Sequence, residues 1–251
     1  MKIINYNGHL VSAGDAHFRL SNRALRYGDG LFETLRWTNG ELPLWKYHRE
    51  RLLGGMAALH LTLPDIENLS IHFRQEINRL PLVSGDYRIR LLVFRSGGGT
   101  YAPETDRCEW IVEAKKIGRI GGELSCQIYD EYRLPVHPLN RFKTINALPY
   151  VLAARAARRH GLDDVILLNQ AGFPVESSSC GLVIQNEDIL TAPPLEAGGV
   201  MSTYLRYLED EGATERGLRF ERRLFSLEEL HDAERVWLCN AVWGMRRAKF
   251  V

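Results

Sequence analysis

Leu139-Asn140-Arg141-Phe142-Lys143-Thr144-Ile145-Asn146 links a proline-bearing loop, Leu134 to Asn140, to an alanine-rich run that begins at Ala147 and ends at His160. Alanine is the strongest helix former and Gly161 follows the run directly, so a helix closed by glycine is predicted from about Ala147 to His160. Lys143 therefore stands at the entrance to a helix, among mostly apolar neighbours. Partial burial there favours the neutral amine, which can attack an aldehyde. Taken alone, such a lysine reads more readily as a solvated or snorkelling side chain.

Few other amines compete with it. Of the 32 basic residues only Lys2, Lys46, Lys115, Lys116, Lys143 and Lys249 are lysines. Those 32 face 31 acids, which leaves no broad field for wrapping nucleic acid or an anionic membrane. No stretch approaches the roughly 18 apolar residues of a membrane span, and Met1 to Leu10 lacks the apolar core of a signal peptide. Cys108, Cys126, Cys180 and Cys239 are scattered without the paired spacing of a zinc site or a disulfide framework. A cytoplasmic setting without a metal is expected, with partners recognised locally.

Outward from the lysine segment, the chain reads as α+β in two parts. Ile3 to Tyr6, Asn7-Gly8 and His9 to Ser12 predict a tight hairpin. Gly30 to Thr38, turning at Asn39-Gly40 into Leu42 to Leu44, predicts a second. Helical spacing follows from Lys46 to His60 and from Asp65 to Leu80. Tyr87 to Phe94 and Glu109 to Ala114 are strand-like. Gly118, Gly121 and Gly122 then mark a linker at residues 117–122, between an N-terminal domain of residues 1–116 and a C-terminal domain of residues 123–251. In the second part, strands are expected at Leu124 to Tyr129, Val165 to Asn169, Gly181 to Gln185 and Ile189 to Thr191, and a helix from about Met201 to Glu211.

Three further features carry chemistry. Glu176, followed by the hydroxyls of Ser177, Ser178 and Ser179, suits a site that holds a protonated ring nitrogen, although acidic turns of this kind are common on surfaces. Gly199-Val200-Met201 opens the expected helix, where backbone N–H groups can receive a phosphate. Arg51, near the start of a helix, could clamp a phosphate bidentately, as could many of the chain's other arginines.

These pieces occur in the order of the class IV aminotransferases, the family of branched-chain aminotransferases, D-amino acid aminotransferases and aminodeoxychorismate lyases. Arg23 to Arg36 resembles the family's N-terminal signature, and His48 to Leu52 resembles the segment bearing its phosphate arginine. The resemblance continues through Phe142 to Ala153, Val165 to Gly181, Gly199 to Leu205 and Val236 to Met245. It implies a two-domain fold-type IV enzyme, like D-amino acid aminotransferase, with pyridoxal 5'-phosphate in the cleft between domains. It further implies a homodimer acting on a small amino acid or an amino-chorismate. Lys143 then matches the lysine that holds the cofactor as a Schiff base and shuttles a proton. Glu176 matches the partner of the pyridine nitrogen and Arg51 the phosphate arginine. Gly199, Val200 and Met201 match the phosphate loop, and Asn240 and Ala241 a cofactor-facing stretch. Phe32, Arg90 and Ser179 fall toward the substrate.

The reaction stays open at this point. Met201 and Leu238-Cys239-Asn240-Ala241 resemble the lyases, which eliminate pyruvate to leave 4-aminobenzoate, whereas Arg90 and Phe32-Glu33 resemble the branched-chain transaminases. Gly97 to Pro103 lacks the Arg-x-His pair of the D-amino acid enzymes. Gly181 stands where the family usually has asparagine, and Trp243-Gly244-Met245 is atypical. A cofactor-binding member without turnover is the alternative.

Overall fold

The computed structural model describes residues 2–63, 69–118 and 121–251. Asp65, the expected start of the second helix, lies outside them, as do Arg119 and Ile120 of the expected linker. By internal contacts the chain divides into two units, Met1–Gly118 with Phe142–Asn146, and Arg119–Arg141 with Ala147–Val251. The lysine segment therefore groups with the N-terminal part, from which 23 intervening residues separate it along the chain (119 to 141).

In the first unit, β1 (Ile3–Tyr6) and β2 (His9–Ser12) form the expected hairpin, with Asn7 and Gly8 at φ 49° and 85° in its turn. A short helix, α1 (Arg23–Tyr27), capped by the Asn22 side chain, precedes β3 (Gly30–Trp37). Next come α2 (Trp45–Ala58), α3 (Leu69–Asn78), β4 (Tyr87–Arg95) and β5 (Cys108–Lys116). The sheet is antiparallel in the order β2-β1-β5-β4-β3.

The second expected hairpin does not form. Asn39-Gly40 does turn the chain, but only Thr38 and Glu41 bridge across it, and β3 takes β4 as its partner along its whole length. Residues 42–44 instead lead into α2, with Leu44 in the left-handed region at φ 63°. A strand of eight residues gains far more backbone pairing from β4 than from a three-residue return.

The second unit holds β6 (Leu124–Leu134), α4 (Leu148–Arg159), β7 (Asp164–Asn169), β8 (Pro174–Ser177), β9 (Gly181–Asn186) and β10 (Ile189–Ala192). It continues with α5 (Thr203–Tyr207), β11 (Arg219–Arg222), α6 (Leu227–Asp232), β12 (Arg235–Asn240) and β13 (Gly244–Phe250). The strand order is β11-β10-β9-β12-β13-β6-β7-β8, and β8 pairs again with β9, so the strands from β9 to β8 close into a ring. Alternation along β7 shows how it is filled. Ile166 and Leu168 join one core with Leu182, Ile184 and Leu238, while Val165 and Leu167 join another with Ala153 and Ala157 of α4. With both faces covered, β7 is buried throughout, which is why its sequence is a continuous apolar run.

The expected helix at 201–211 begins at Thr203, with the Ser202 hydroxyl accepting from the Leu205 N–H, and widens into a π-turn over Leu208–Gly212. Among the described residues no helix is long and apolar enough to cross a membrane.

Candidate active site

Two groups of side chains carry the candidate chemistry, one in each unit. In the first, the lysine segment lies along the start of β3. The Phe32 N–H donates to the Lys143 carbonyl at 2.8 Å and the Ile145 N–H donates to the Gly30 carbonyl at 3.0 Å. Flanking residues hold both ends. Phe142 packs on Gly54 and Gly55 of α2, where an added Cβ would come within 3.0 Å of its ring at Gly54. Asn146 occupies the space beside Gly28, where a Cβ would fall 1.9 Å from its Oδ1. Three glycines thus leave room for the segment that presents the amine.

Alternation along β3 divides the neighbouring residues. The Phe32 ring carries two cations, with Lys143 Nζ and the Arg90 guanidinium carbon each 4.6 Å from its centroid. Register brings Arg90 there: it lies opposite Thr34 and Phe32 opposite Leu92, so the two are diagonal neighbours on one face of the sheet. The next residue, Glu33, turns instead toward α2. Its carboxylate accepts from Arg51 Nε at 2.8 Å and Nη2 at 2.6 Å, and from His48 Nδ1 at 2.7 Å. His48 and Arg51, three residues apart, occupy one face of the helix. All three are buried, with Arg51 5% exposed.

Burial alone would push the Glu33 carboxyl upward, but the Arg51 charge and the hydrogen bonds from Arg51 and His48 outweigh it and hold the group down at about 2. Burial pushes His48 below its ordinary value, against the pull of Glu33 and with help from the charges of Arg51 and Lys143. The imidazole Nε2 is buried without a hydrogen-bond partner among the described residues. Sequence reading singled out Arg51 and missed the Glu33–His48 pair that fixes it. The acid at the strand's inward-facing position, one helix away from an i, i+3 His/Arg pair, was the available signal.

In the second unit, Glu176 sits where the strand ring closes, paired with Leu167 of β7 and Gly181 of β9. Its side chain is buried, 6% exposed, and accepts from the Tyr150 hydroxyl at 2.6 Å and from the Val200 N–H at 3.3 and 3.2 Å to its two oxygens. Gly199 lets the loop approach. A Cβ there would come within 2.7 Å of Val175 and 3.4 Å of the Glu176 carboxyl carbon. The Met201 N–H donates to the Arg141 carbonyl at 2.9 Å.

The three serines after Glu176 have a different use. Ser177, Ser178 and Ser179 all donate their hydroxyls to buried Asp164, at 2.7, 2.6 and 2.9 Å, and the Ser178 N–H donates to it as well. Ser179, expected toward the substrate, thus spends its proton on this carboxylate. Asn240, expected toward the cofactor, accepts from the Val242 and Trp243 N–H groups and shapes the turn between β12 and β13, with Ala241 inside that turn. At Gly181 the space beyond the Cα is taken by Leu205 and Ser202, within 2.8 and 3.1 Å of an added Cβ, so this backbone has no room without rearrangement for the asparagine that the resemblance would put there.

Comparison with known proteins gives the family. The family model described as Amino-transferase class IV matches residues 30–251. A putative branched-chain-amino-acid aminotransferase of Methanocaldococcus jannaschii is 28% identical over 94% of this chain and 83% of its own length. The aminodeoxychorismate lyase of Vibrio harveyi is 26% identical over 91% of this chain and 85% of its own. Among solved structures, the branched-chain aminotransferase of Thermoproteus uzoniensis, at 24% identity, superposes with a TM-score of 0.88 over 99% of this chain and 87% of that one. At that identity it speaks for the fold, and it shares the expected α+β fold-type IV architecture with two sheets.

Proposed function

Because the chain belongs to the class IV aminotransferases, a family of pyridoxal-phosphate-dependent enzymes, we propose that it transfers the amino group of a small amino acid, with Lys143 as the covalent anchor of the cofactor. The observation that favours transamination is that Arg90 and Lys143 both rest on the Phe32 ring, which offers a guanidinium for a substrate carboxylate on the same side chain that carries the amine. Met201 and the Leu238–Ala241 stretch favour the second reading, pyruvate elimination from an amino-chorismate.

The residues present fit the cofactor by their donor chemistry. A primary amine suits its aldehyde, a buried carboxylate its ring nitrogen, and a guanidinium and a glycine-bearing loop its phosphate. Bound pyridoxal 5'-phosphate supplies an electron-withdrawing ring that stabilises negative charge at the substrate's α-carbon. Glu176 keeps a proton on the ring nitrogen. Lys143 Nζ would take the substrate's α-proton and return it, as general base and acid. Arg90 orients the substrate carboxylate. Arg51, fixed by Glu33, and the backbone of Gly199, Val200 and Met201 would hold the phosphate. Phe32 carries the lysine amine on its ring face.

A second copy of the chain belongs to this reading. Leu148, Val151 and Leu152 expose an apolar stripe on α4 at helical spacing, 72%, 57% and 46% exposed, which pairing with another subunit would cover.

The test is direct. Protein mixed with pyridoxal 5'-phosphate should gain a visible absorption band. Borohydride should fix the cofactor on Lys143 in a peptide digest, and Lys143→Ala should abolish that attachment. Glutamate formed from branched-chain amino acids and 2-oxoglutarate supports transamination. Pyruvate formed only from aminodeoxychorismate replaces it with the lyase, and no fixation at Lys143 overturns the anchor.

A further inference from the structure

Glu176 has a partner that no motif announces. Tyr150 lies in the first turn of α4, two residues after the helix begins and one after Pro149. Its ring packs against the core of Tyr129, Leu134, Ala153 and Val175. Only its hydroxyl is left to act, and it donates to Glu176 Oε1 at 2.6 Å. The same oxygen accepts the Val200 N–H at 3.3 Å, so one carboxylate is held from two directions by groups from α4 and from the loop before α5.

We propose that Tyr150 is a positioning residue that fixes the orientation of the Glu176 carboxylate, and through it the grip of this chain on the cofactor's ring nitrogen. The inference rests on the cofactor assignment made above. Three properties of the contact support it. The hydroxyl bond is shorter than either amide bond to the same carboxylate, and a phenol donating to a carboxylate belongs to the stronger class of hydrogen bonds. The ring is immobilised by its packing, so the hydroxyl arrives preorganised. Burial, with the Glu176 charge and hydrogen bond added, also pushes the phenol far above its ordinary range, so it remains a proton donor at any working pH.

A structural role alone would predict something different. If the hydroxyl merely satisfied a buried carboxylate, its loss would lower stability and leave cofactor binding unchanged. A positioning role predicts that the loss is read through Glu176. Without Tyr150 the carboxylate loses the 2.6 Å phenol bond, and the Val200 amide, whose bonds to its two oxygens are long and nearly equal, holds its last torsion less firmly.

Tyr150→Phe removes one oxygen and keeps the ring. Wild type, Tyr150→Phe, Glu176→Gln and the double variant should each be titrated with pyridoxal 5'-phosphate, following the dissociation constant and the pH midpoint of the visible band. Melting curves report folding in parallel. Tyr150→Phe is expected to weaken cofactor binding about tenfold and displace the band midpoint, and to do neither in the Glu176→Gln background. If Tyr150→Phe matches wild type in both readouts, or if its effect is undiminished in the Glu176→Gln background, the positioning role is overturned while the cofactor assignment stands. If wild type itself takes up no cofactor, the functional reading falls and this inference falls with it. Should Tyr150→Phe not fold, Tyr150→His, which retains a ring donor, takes its place. It should restore the band midpoint partway toward wild type, and a midpoint no nearer to wild type than that of the Glu176→Gln variant overturns the role.

Discussion

Glu33 accepts from Arg51 Nε and Nη2 while only 1% of it is exposed, and His48 closes the same carboxylate from one helical turn away. This triad should make the protein acid-sensitive in two stages. His48 has a lowered value in the folded chain, so below its ordinary 6.5 the unfolded state binds the extra proton and stability falls with pH. Glu33 is also depressed, so its contribution is complete above its unfolded 4.5 and is lost as pH drops toward about 2. Urea denaturation from pH 8 to pH 3 should show both slopes, and His48→Asn should flatten the one that begins near 6.5. Glu33→Gln leaves Arg51 buried without its counter-charge and should cost about 3–5 kcal/mol.

Asp164 collects three serine hydroxyls and should matter more for folding than any one of them. Asp164→Ala strands those donors in a buried site and should lower stability by about 3 kcal/mol or more, against about 1 kcal/mol for Ser179→Ala. Melting temperatures of the two variants provide the comparison. A larger loss from Ser179→Ala than from Asp164→Ala would overturn the assignment of Asp164 as the hub.

All four cysteines are buried, and burial pushes the thiols of Cys108, Cys126 and Cys180 up to about 12 and that of Cys239 upward as well. A chromogenic disulfide reagent at pH 8 should therefore label none of them in the folded protein within minutes, and all of them in denaturant. Rapid labelling of the native protein would contradict this packing.

Gly30 lies so close to β4 that a Cβ would fall 2.6 Å from the Val93 carbonyl oxygen and 2.7 Å from the Phe94 Cβ. Gly30→Ala should part the two strands, shift Phe32 and the lysine segment with it, and cost about 1–3 kcal/mol. Melting experiments will read the stability loss. An activity loss exceeding that of an equally destabilised variant far from β3 will report the displaced amine.

Local chemistry explains what could be read in the sequence. Asn7-Gly8 demands left-handed backbone and produced the hairpin expected there, and the alanines before Gly161 gave α4 to within a residue or two. Lys143, Arg51 and Glu176 stood out only through their order along the chain. Tyr150, Glu33 and Asp164 stayed hidden because each works through a partner distant in sequence, which no local periodicity reports. The failed hairpin at Asn39-Gly40 is the converse case: the turn forms as its residues require, but the choice of strand partner is made by β4, some 50 residues on.

The backbone bonds from Phe32 to Lys143 and from Ile145 to Gly30 have a consequence for synthesis. β3 ends its sheet, so those two backbone groups gain their partners only from residues 142–146. As the chain leaves the ribosome, its first 118 residues can build five strands and their core, yet they present an uncovered edge until about 28 more have emerged. The stretch that finally covers it is the one bearing the reactive amine. Completing the unit and delivering Lys143 to it are therefore a single folding event.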